Sequence, residues 1–193
     1  MSERMRPLIR GLRIAGPAVT AFCAPGDNLM MHRALYLALP GDVLVVVSHA
    51  ENSGAQWGDV AARYAKRQGL AGVIVQGCIR DTDALEEIRS PVSATLISPL
   101  RPSKNGHGLV NAPVSCDGVI VYPGDLIVAD GDGVVCVRRA EAEEVLALVH
   151  ARMAREQAVE KDIAAGAAPW DFTGAAESYK AMGITEIDAA WKP

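Results

Sequence analysis

Asp59, followed twenty residues later by the adjacent pair Arg80-Asp81, is the strongest chemical signal in this chain. An arginine presents a planar fork that holds a carboxylate through two parallel hydrogen bonds, which a lysine cannot do. An aspartate offers hard oxygens of the kind that Mg2+ takes. Backbone N–H groups at the start of a helix also hold anions, and Gly58, Asp59 and Val60 stand where a helix would begin. The set thus fits a small carboxylic acid bound beside a divalent cation, with Arg80 on the acid, Asp81 on the cation and Asp59 at a second position. Spacing alone leaves a second reading open, in which Asp59 only caps a helix and Arg80 and Asp81 make surface ion pairs.

The elements that must position these residues lie between them, in WGDVAARYAKRQGLAGVIVQGCIRD (57–81). Asp59 is expected as the N-cap of a helix from Val60 to Lys66, ended by Gln68-Gly69. Val73-Ile74-Val75 reads as a buried strand. Gly77 is expected to turn the chain and release Arg80-Asp81 on the strand's C-terminal side. In a strand–helix–strand unit the helix start then lies near a strand end, where ligands of α/β proteins bind.

Around this unit the pattern predicts strands at 13–23, 43–47, 91–97, 114–121, 126–129 and 133–137. Helices are predicted at 28–39, carrying His32, at 82–88, at 141–165 and at 174–182. Val145, Leu148, Val149, Met153 and Val159 form an apolar stripe on the long helix. The loop 49–56 contains Ser53 and Gly54, and two readings stay open for it: closure over a ligand, or a plain surface loop. The Gly-rich loop 101–111 has the composition of an ordinary connecting loop, with Lys104, Asn105 and His107 as the residues in it that could reach an anion. Pro-Gly-Asp precedes a strand at 40–42 and again at 123–125, which reads as shared turn chemistry. Asp83, Glu86 and Glu87 read as a solvated face. The DGDG run at 130–133 reads as a tight turn, because the other ligands of a Ca2+ loop are missing. The class is α/β.

The 193 residues suffice for one domain with a substantial core. Half are hydrophobic and only 5% aromatic, so that core is built from Val, Ala, Leu and Ile. A net charge of −4 argues against a general nucleic-acid surface. No apolar run approaches the ~20 residues of a membrane span. The basic N-terminus lacks the apolar stretch of a secretory signal, which makes the cytoplasm the expected location. The four cysteines form no CxxC pair, against a zinc site. Cys23, Cys116 and Cys136 read as buried thiols, and Cys78 as a residue beside the pocket.

The Asp-x20-Arg-Asp spacing resembles the signature of the class II pyruvate aldolases, which cleave 4-hydroxy-4-methyl-2-oxoglutarate and 4-carboxy-4-hydroxy-2-oxoadipate. Matching segments at 16–35, 101–135 and 151–158 extend the resemblance from about Gly11 almost to the C-terminus. The stretch Pro25-Gly26-Asp27-Asn28 to His32 is similar to the oxoadipate branch. The resemblance implies a layered β/β/α sandwich of the swivelling-domain, RraA-like type. The basic residues 1–12 read as a flexible segment ahead of an α/β core domain at 13–140, and the helical extension at 141–193, with two tryptophans in its tail, reads as packing on a neighbouring subunit; the resemblance implies that the assembly is a trimer or hexamer. Mg2+ or Mn2+ would sit on Asp81. Arg80 and the N–H groups of Gly58, Asp59, Val60 and Ala61 would place the oxo acid. Asp59, with Glu156 from the adjacent subunit, would orient the water that returns a proton to the pyruvate enolate. Oxaloacetate decarboxylation passes through the same enolate. The expected partners are therefore a small oxo acid and further copies of the chain, with neither nucleic acid nor membrane.

The same superfamily includes RraA-like regulators of ribonuclease E, the alternative reading. Their well-known form has Gln after the Arg, where this chain has Asp81. Two departures from the aldolases stand out: Gln76-Gly77 where relatives often read Asp-Gly, and a shorter segment ahead of the first strand.

Overall fold

The structure, a computed structural model, describes residues 1–49 and 53–185. In chain order the first half holds β1 (Arg6–Pro7), β2 (Ile14–Cys23), α1 (Leu29–Leu37), β3 (Val43–Ser48), β4 (Ala55–Trp57), α2 (Asp59–Gln68), β5 (Gly72–Ile79) and α3 (Thr82–Ile88). The remainder holds β6 (Val92–Ile97), β7 (Gly108–Val110), β8 (Val114–Cys116), β9 (Val119–Val121), β10 (Leu126–Ala129), β11 (Val134–Val137), α4 (Ala142–Ala164), α5 (Pro169–Phe172) and α6 (Ala175–Ala181).

β3 is a run of apolar residues because both of its faces are covered. Val43, Val45 and Val47 join Ile14, Ile74, Val114, Cys116, Val121, Ile127 and Val134 in one core. Leu44 and Val46 point the other way and meet Met31, Ala34 and Leu35 of α1, Ala61, Ala62 and Ala65 of α2, and Leu85 and Ile88 of α3. The alternation is the period of two of a strand. The sheet runs β1-β6-β5-β3-β2-β10-β11. β6, β5, β3 and β2 are parallel neighbours, whereas β1, β10 and β11 join antiparallel. β4 adds to the end of β5, β7 adds to β2, and β8-β9 form a separate hairpin. Helices cover one face and strands the other, the β/β/α layering of the RraA-like type.

The chain divides into two compact units, Met1–Ala142 and Glu143–Pro193. In the second, Trp170 meets Tyr179 edge to face with ring centres 5.4 Å apart, and Leu148, Val149 and Met153 are exposed. Among the described residues no helix is long and apolar enough to cross a membrane.

Both Pro-Gly-Asp turns close in the same way. Leu39 N–H donates to Asp42 Oδ2 at 2.7 Å, and Tyr122 N–H to Asp125 Oδ2 at 2.9 Å, with Gly41 and Gly124 at φ 89 and 84.

Several elements differ from the sequence reading. Residues 1–12, read as flexible, carry anchors: Met5 is fully buried, the Met1 amine donates to Val134 O at 3.0 Å, and Arg6 and Pro7 pair with β6. The run 114–121 is a hairpin instead of one strand, because Asp117 and Gly118 both take positive φ, as a two-residue hairpin turn requires. Gly77 does not end its strand; β5 continues to Ile79. Part of each polar loop is a strand, β4 and β7, and α5 is an additional short helix. Residues 50–52 of the 49–56 loop, and 186–193 of the tail, lie outside the described residues.

Candidate functional site

The C-terminal end of β5 and the N-terminal end of α2 meet at Gly58. An ideal Cβ on Gly58 would lie 2.5 Å from Asp81 Oδ2 and 3.2 Å from Arg80 Cγ. Its φ of −164 is ordinary extended backbone. The glycine is therefore needed for space: only a bare backbone lets α2 begin against the Arg80-Asp81 pair. Asp59 N–H donates to Asp81 Oδ2 at 3.3 Å, and Arg80 Nε lies 3.3 Å from the same oxygen. Arg80 N–H donates to Trp57 O at 3.0 Å, tying the pair to β4. Asp81 itself sits at φ 58, ψ 40. A non-glycine residue in the left-handed region is uncommon and clusters at functional sites, with Asp and Asn the types that tolerate it.

Asp59 is the first helical residue of α2, not its N-cap, which is Gly58. Its carboxylate lies 3.6 Å from Arg63 Nε, one turn along. The N–H groups of Val60 and Ala61 stand in the first turn, where the helix has no carbonyl to offer them. At the other end Gly69 takes the expected left-handed cap, φ 76.

Gly77 holds the aim of the pair. It lies at a register shift of β5, at φ 149, and a Cβ there would meet Gln56 Oε1 at 2.3 Å. The ladder groups freed by this bulge are taken up by side chains: Gly77 N–H donates to Thr95 Oγ1 at 2.9 Å and Cys78 N–H to Gln56 Oε1 at 3.0 Å. Such bulges re-aim the residues that follow. Gln76, where relatives often read an acid, does not line the site. Its Oε1 accepts from Asp117 N–H at 2.8 Å and closes the β8-β9 turn.

Asn28, His32, Gln56, Trp57, Gly58, Asp59, Val60, Ala61, Arg80, Asp81, Arg101 and Lys104 line one cleft of about 220 Å3. Six positions expected from the sequence, Gly58 to Ala61, Arg80 and Asp81, are thus together. Glu156 lies on α4 in the second compact unit, its Oε1 2.6 Å from Arg152 Nε. Cys78, expected beside the pocket, is 1% exposed and faces inward. Ser53 and Gly54 do not line the cleft; a Cβ on Gly54 would lie 3.2 Å from Pro102 Cα and from Gly26 O. Asn105 and His107 also lie outside the lining, while Lys104 belongs to it. Sequence reasoning missed Gln56, Trp57 and Arg101; only Arg101, opening the Gly-rich loop, carried a local signal.

Asp27 fixes the loop that brings Arg101 and Lys104. Its Oδ2 accepts from Ser103 Oγ at 2.7 Å, Asn105 N–H at 2.7 Å and Gly106 N–H at 2.9 Å, while Oδ1 accepts from Leu29 N–H at 2.8 Å. Burial alone would raise its pKa, but these hydrogen bonds outweigh it and hold the carboxyl down at about 2. The folded value lies below the ordinary 3.8, so this stabilisation is full above the ordinary value and is lost as pH falls toward 2. Asp27→Asn is expected to cost about 2 kcal/mol at pH 7 and about half of that at pH 3. Urea unfolding at the two pH values checks this; an equal loss at both would refute the ionic role. Burial, with the nearby Lys104 charge, pushes His32 below the usual imidazole range.

Among the described residues no three His, Cys, Asp or Glu side chains gather as a metal cage. Mg2+, however, is commonly held by one or two carboxylates together with substrate and water. Asp81 fits that mode: its side chain is 35% exposed, and the missing Gly58 Cβ keeps the space beside it open.

The RraA-like model, described as Aldolase/RraA, matches residues 1–136. A Halalkalibacterium halodurans protein named "Putative 4-hydroxy-4-methyl-2-oxoglutarate aldolase" is 37% identical over 163 residues, covering 84% of this chain and 78% of that one. The crystal structure of Streptomyces coelicolor RraAS2, described as an unusual member of the RNase ES inhibitor RraA family, superimposes with a TM-score of 0.72 at 33% identity, over 81% of this chain and 80% of that one. The Thermus thermophilis RNA-processing inhibitor RraA does so at 0.66 and 31%, over 71% and 83%. With the layering, the Asp59–Arg80-Asp81 cleft and these matches in agreement, the chain belongs to the RraA-like aldolase family.

Proposed function

We propose that the protein is a divalent-cation-dependent lyase that releases pyruvate from a 4-hydroxy-2-oxo acid and decarboxylates oxaloacetate at the same site. The observation that carries this reading is the meeting of Arg80 and Asp81 with the first turn of α2 across Gly58. A carboxylate donor, a guanidinium and unpaired helix N–H groups then converge on one small cleft. The names of the aldolase relatives agree with it.

In this mechanism the N–H groups of Val60 and Ala61 hold the substrate carboxylate and Arg80 holds the oxygen on which charge develops. Asp81 would hold Mg2+ or Mn2+, which supplies Lewis-acid polarisation of the 2-oxo group. The 4-hydroxyl gives its proton to the water oriented by Asp59 as C4 becomes a carbonyl. The electron pair of the broken C3–C4 bond passes into the pyruvate enolate. Water oriented by Asp59, and by Glu156 of a neighbouring copy in a homo-oligomer, returns a proton to C3. The setting is cytoplasmic.

The test is pyruvate release from oxaloacetate and from 4-carboxy-4-hydroxy-2-oxoadipate, with Mg2+ and with EDTA. Metal-dependent pyruvate from either supports enolate chemistry. None from either, with the protein folded, overturns the proposal. Arg80→Lys keeps the charge but loses the fork; kcat/KM is expected to fall on the order of tenfold or more, since a charged hydrogen bond contributes about 1.5–3 kcal/mol. Unchanged kinetics would remove Arg80 from the site.

The names of the solved relatives favour one alternative, a non-catalytic regulator of ribonuclease E. Asp81 weighs against it. Inhibition of ribonuclease E by a preparation that yields no pyruvate would establish that reading instead.

A further inference from the structure

Two arms of the chain meet at the site, β4 running into Gly58 and β5 running into Arg80-Asp81, and one buried side chain ties them together. Gln56 of β4 stands two residues ahead of Gly58. Its Oε1 accepts from the N–H of Cys78, which stands two residues ahead of Arg80, at 3.0 Å. The backbone repeats the tie further on, where Arg80 N–H donates to Trp57 O at 3.0 Å. Although Gln56 borders the cleft, it is 0% exposed, so its amide acts on the fold and not on a ligand.

The tie lies where β5 changes partners. Up to Gln76 the strand pairs with β3, from Cys78 it pairs with β4, and its register against β6 shifts between Val75 and Cys78. A strand that crosses such a bulge loses ladder bonds, and other groups must fix its direction afterwards. Gln56 does so from one side, and Thr95 from the other through the Gly77 N–H. Gly77 leaves the room for it: Gln56 Oε1 is the nearest heavy atom to the place that a Cβ would take.

The amide is kept at a cost. Gln56 Nε2 is buried without a hydrogen-bond partner. Buried polar atoms are almost always paired, and an unmet donor destabilises the fold. An apolar side chain of the same length would fill the space without that loss. What it could not supply is an acceptor for the Cys78 N–H.

We propose that Gln56 is a positioning residue. Its amide sets how closely the end of β5 lies against the start of α2, and so aims the Arg80 fork and the Asp81 carboxylate. This rests on the lyase reading and deepens it: Gln56 acts through Cys78 and the backbone that follows, and the groups that meet the substrate are those already named.

The test is Gln56→Met, which keeps the length of the side chain and removes the amide. It relieves the orphan Nε2 and strands the Cys78 N–H; the two changes offset, so Tm is expected to stay within about 2 °C of wild type. For pyruvate release from oxaloacetate, kcat is expected to fall by about tenfold or more while KM rises less than about threefold. The split arises because the first-turn N–H groups that hold the substrate carboxylate stay in place, whereas the groups that meet developing charge are displaced. Gln56→Asn, one methylene too short to reach Cys78, should show the same loss, and it carries the test if the Met variant does not fold. Wild-type kcat in the variant, whether or not Tm falls, overturns the proposal. Crystal structures separate it from the reading beneath it. In the variant, Asp81 Oδ2 is expected to move by about 0.5 Å or more relative to Gly58 Cα. That shift supports the positioning role even if wild type releases no pyruvate, an outcome that would refute only the lyase. An Arg80-Asp81 pair that keeps its wild-type position overturns the proposal whatever the kinetics.

Discussion

Asp81→Asn is expected to lower metal-dependent pyruvate release by on the order of a thousandfold while leaving the fold intact. Asparagine is the informative replacement because of the backbone. Asp81 lies at φ 58, a region that Asn enters readily and Ala does not. Asp81→Ala would add backbone strain of about 1 kcal/mol to the loss of charge. Asn keeps the backbone and an acceptor for the Asp59 N–H, and removes only the charge. The two variants should therefore be equally inactive but differ in Tm, with Ala the less stable. Full activity in Asp81→Asn would end the case for this site; a large fall in its Tm would show that the carboxylate serves the fold.

Gly58→Ala is expected to cost on the order of a hundredfold in kcat/KM through one methyl group. Its backbone is extended, so alanine adopts it freely. The conflict is with Asp81 Oδ2, 2.5 Å from the new Cβ, and with Arg80. Either α2 or the Arg80-Asp81 pair must shift, and a displacement of about 1 Å costs that much in a positioned site. Stability should fall by only about 1 kcal/mol, because alanine is a poorer N-cap than glycine. Kinetics alongside thermal unfolding separate the two effects. Wild-type kcat/KM would mean that the contact between Gly58 and the pair has no part in positioning.

The parts legible in the sequence are those fixed by short-range physics. The all-apolar 43–47 run required cover on both faces, and β3 has it. Gly69 stood where a helix needs a left-handed cap. The twenty residues between Asp59 and Arg80 are the length of one helix plus one strand, so the β–α–β path returned Arg80-Asp81 to the start of α2. The same local view missed the Asp117-Gly118 hairpin, because an unbroken apolar pattern outweighed a two-residue turn signal. It also took Gly77 for a turn, because the partner that fills its missing Cβ, Gln56, belongs to another strand.

By itself, then, the sequence determined which residues carry charge at the end of β5, the helix that faces them and the layers that bury the strands between. Only the tertiary structure decided that Asn28, Trp57, Arg101 and Lys104 share their cleft. The reason is distance along the chain: Asp27 gathers the loop through hydrogen bonds to Ser103, Asn105 and Gly106, 76 to 79 residues away. Capping, periodicity and turn chemistry act over a few residues, and no local preference encodes a contact of that span.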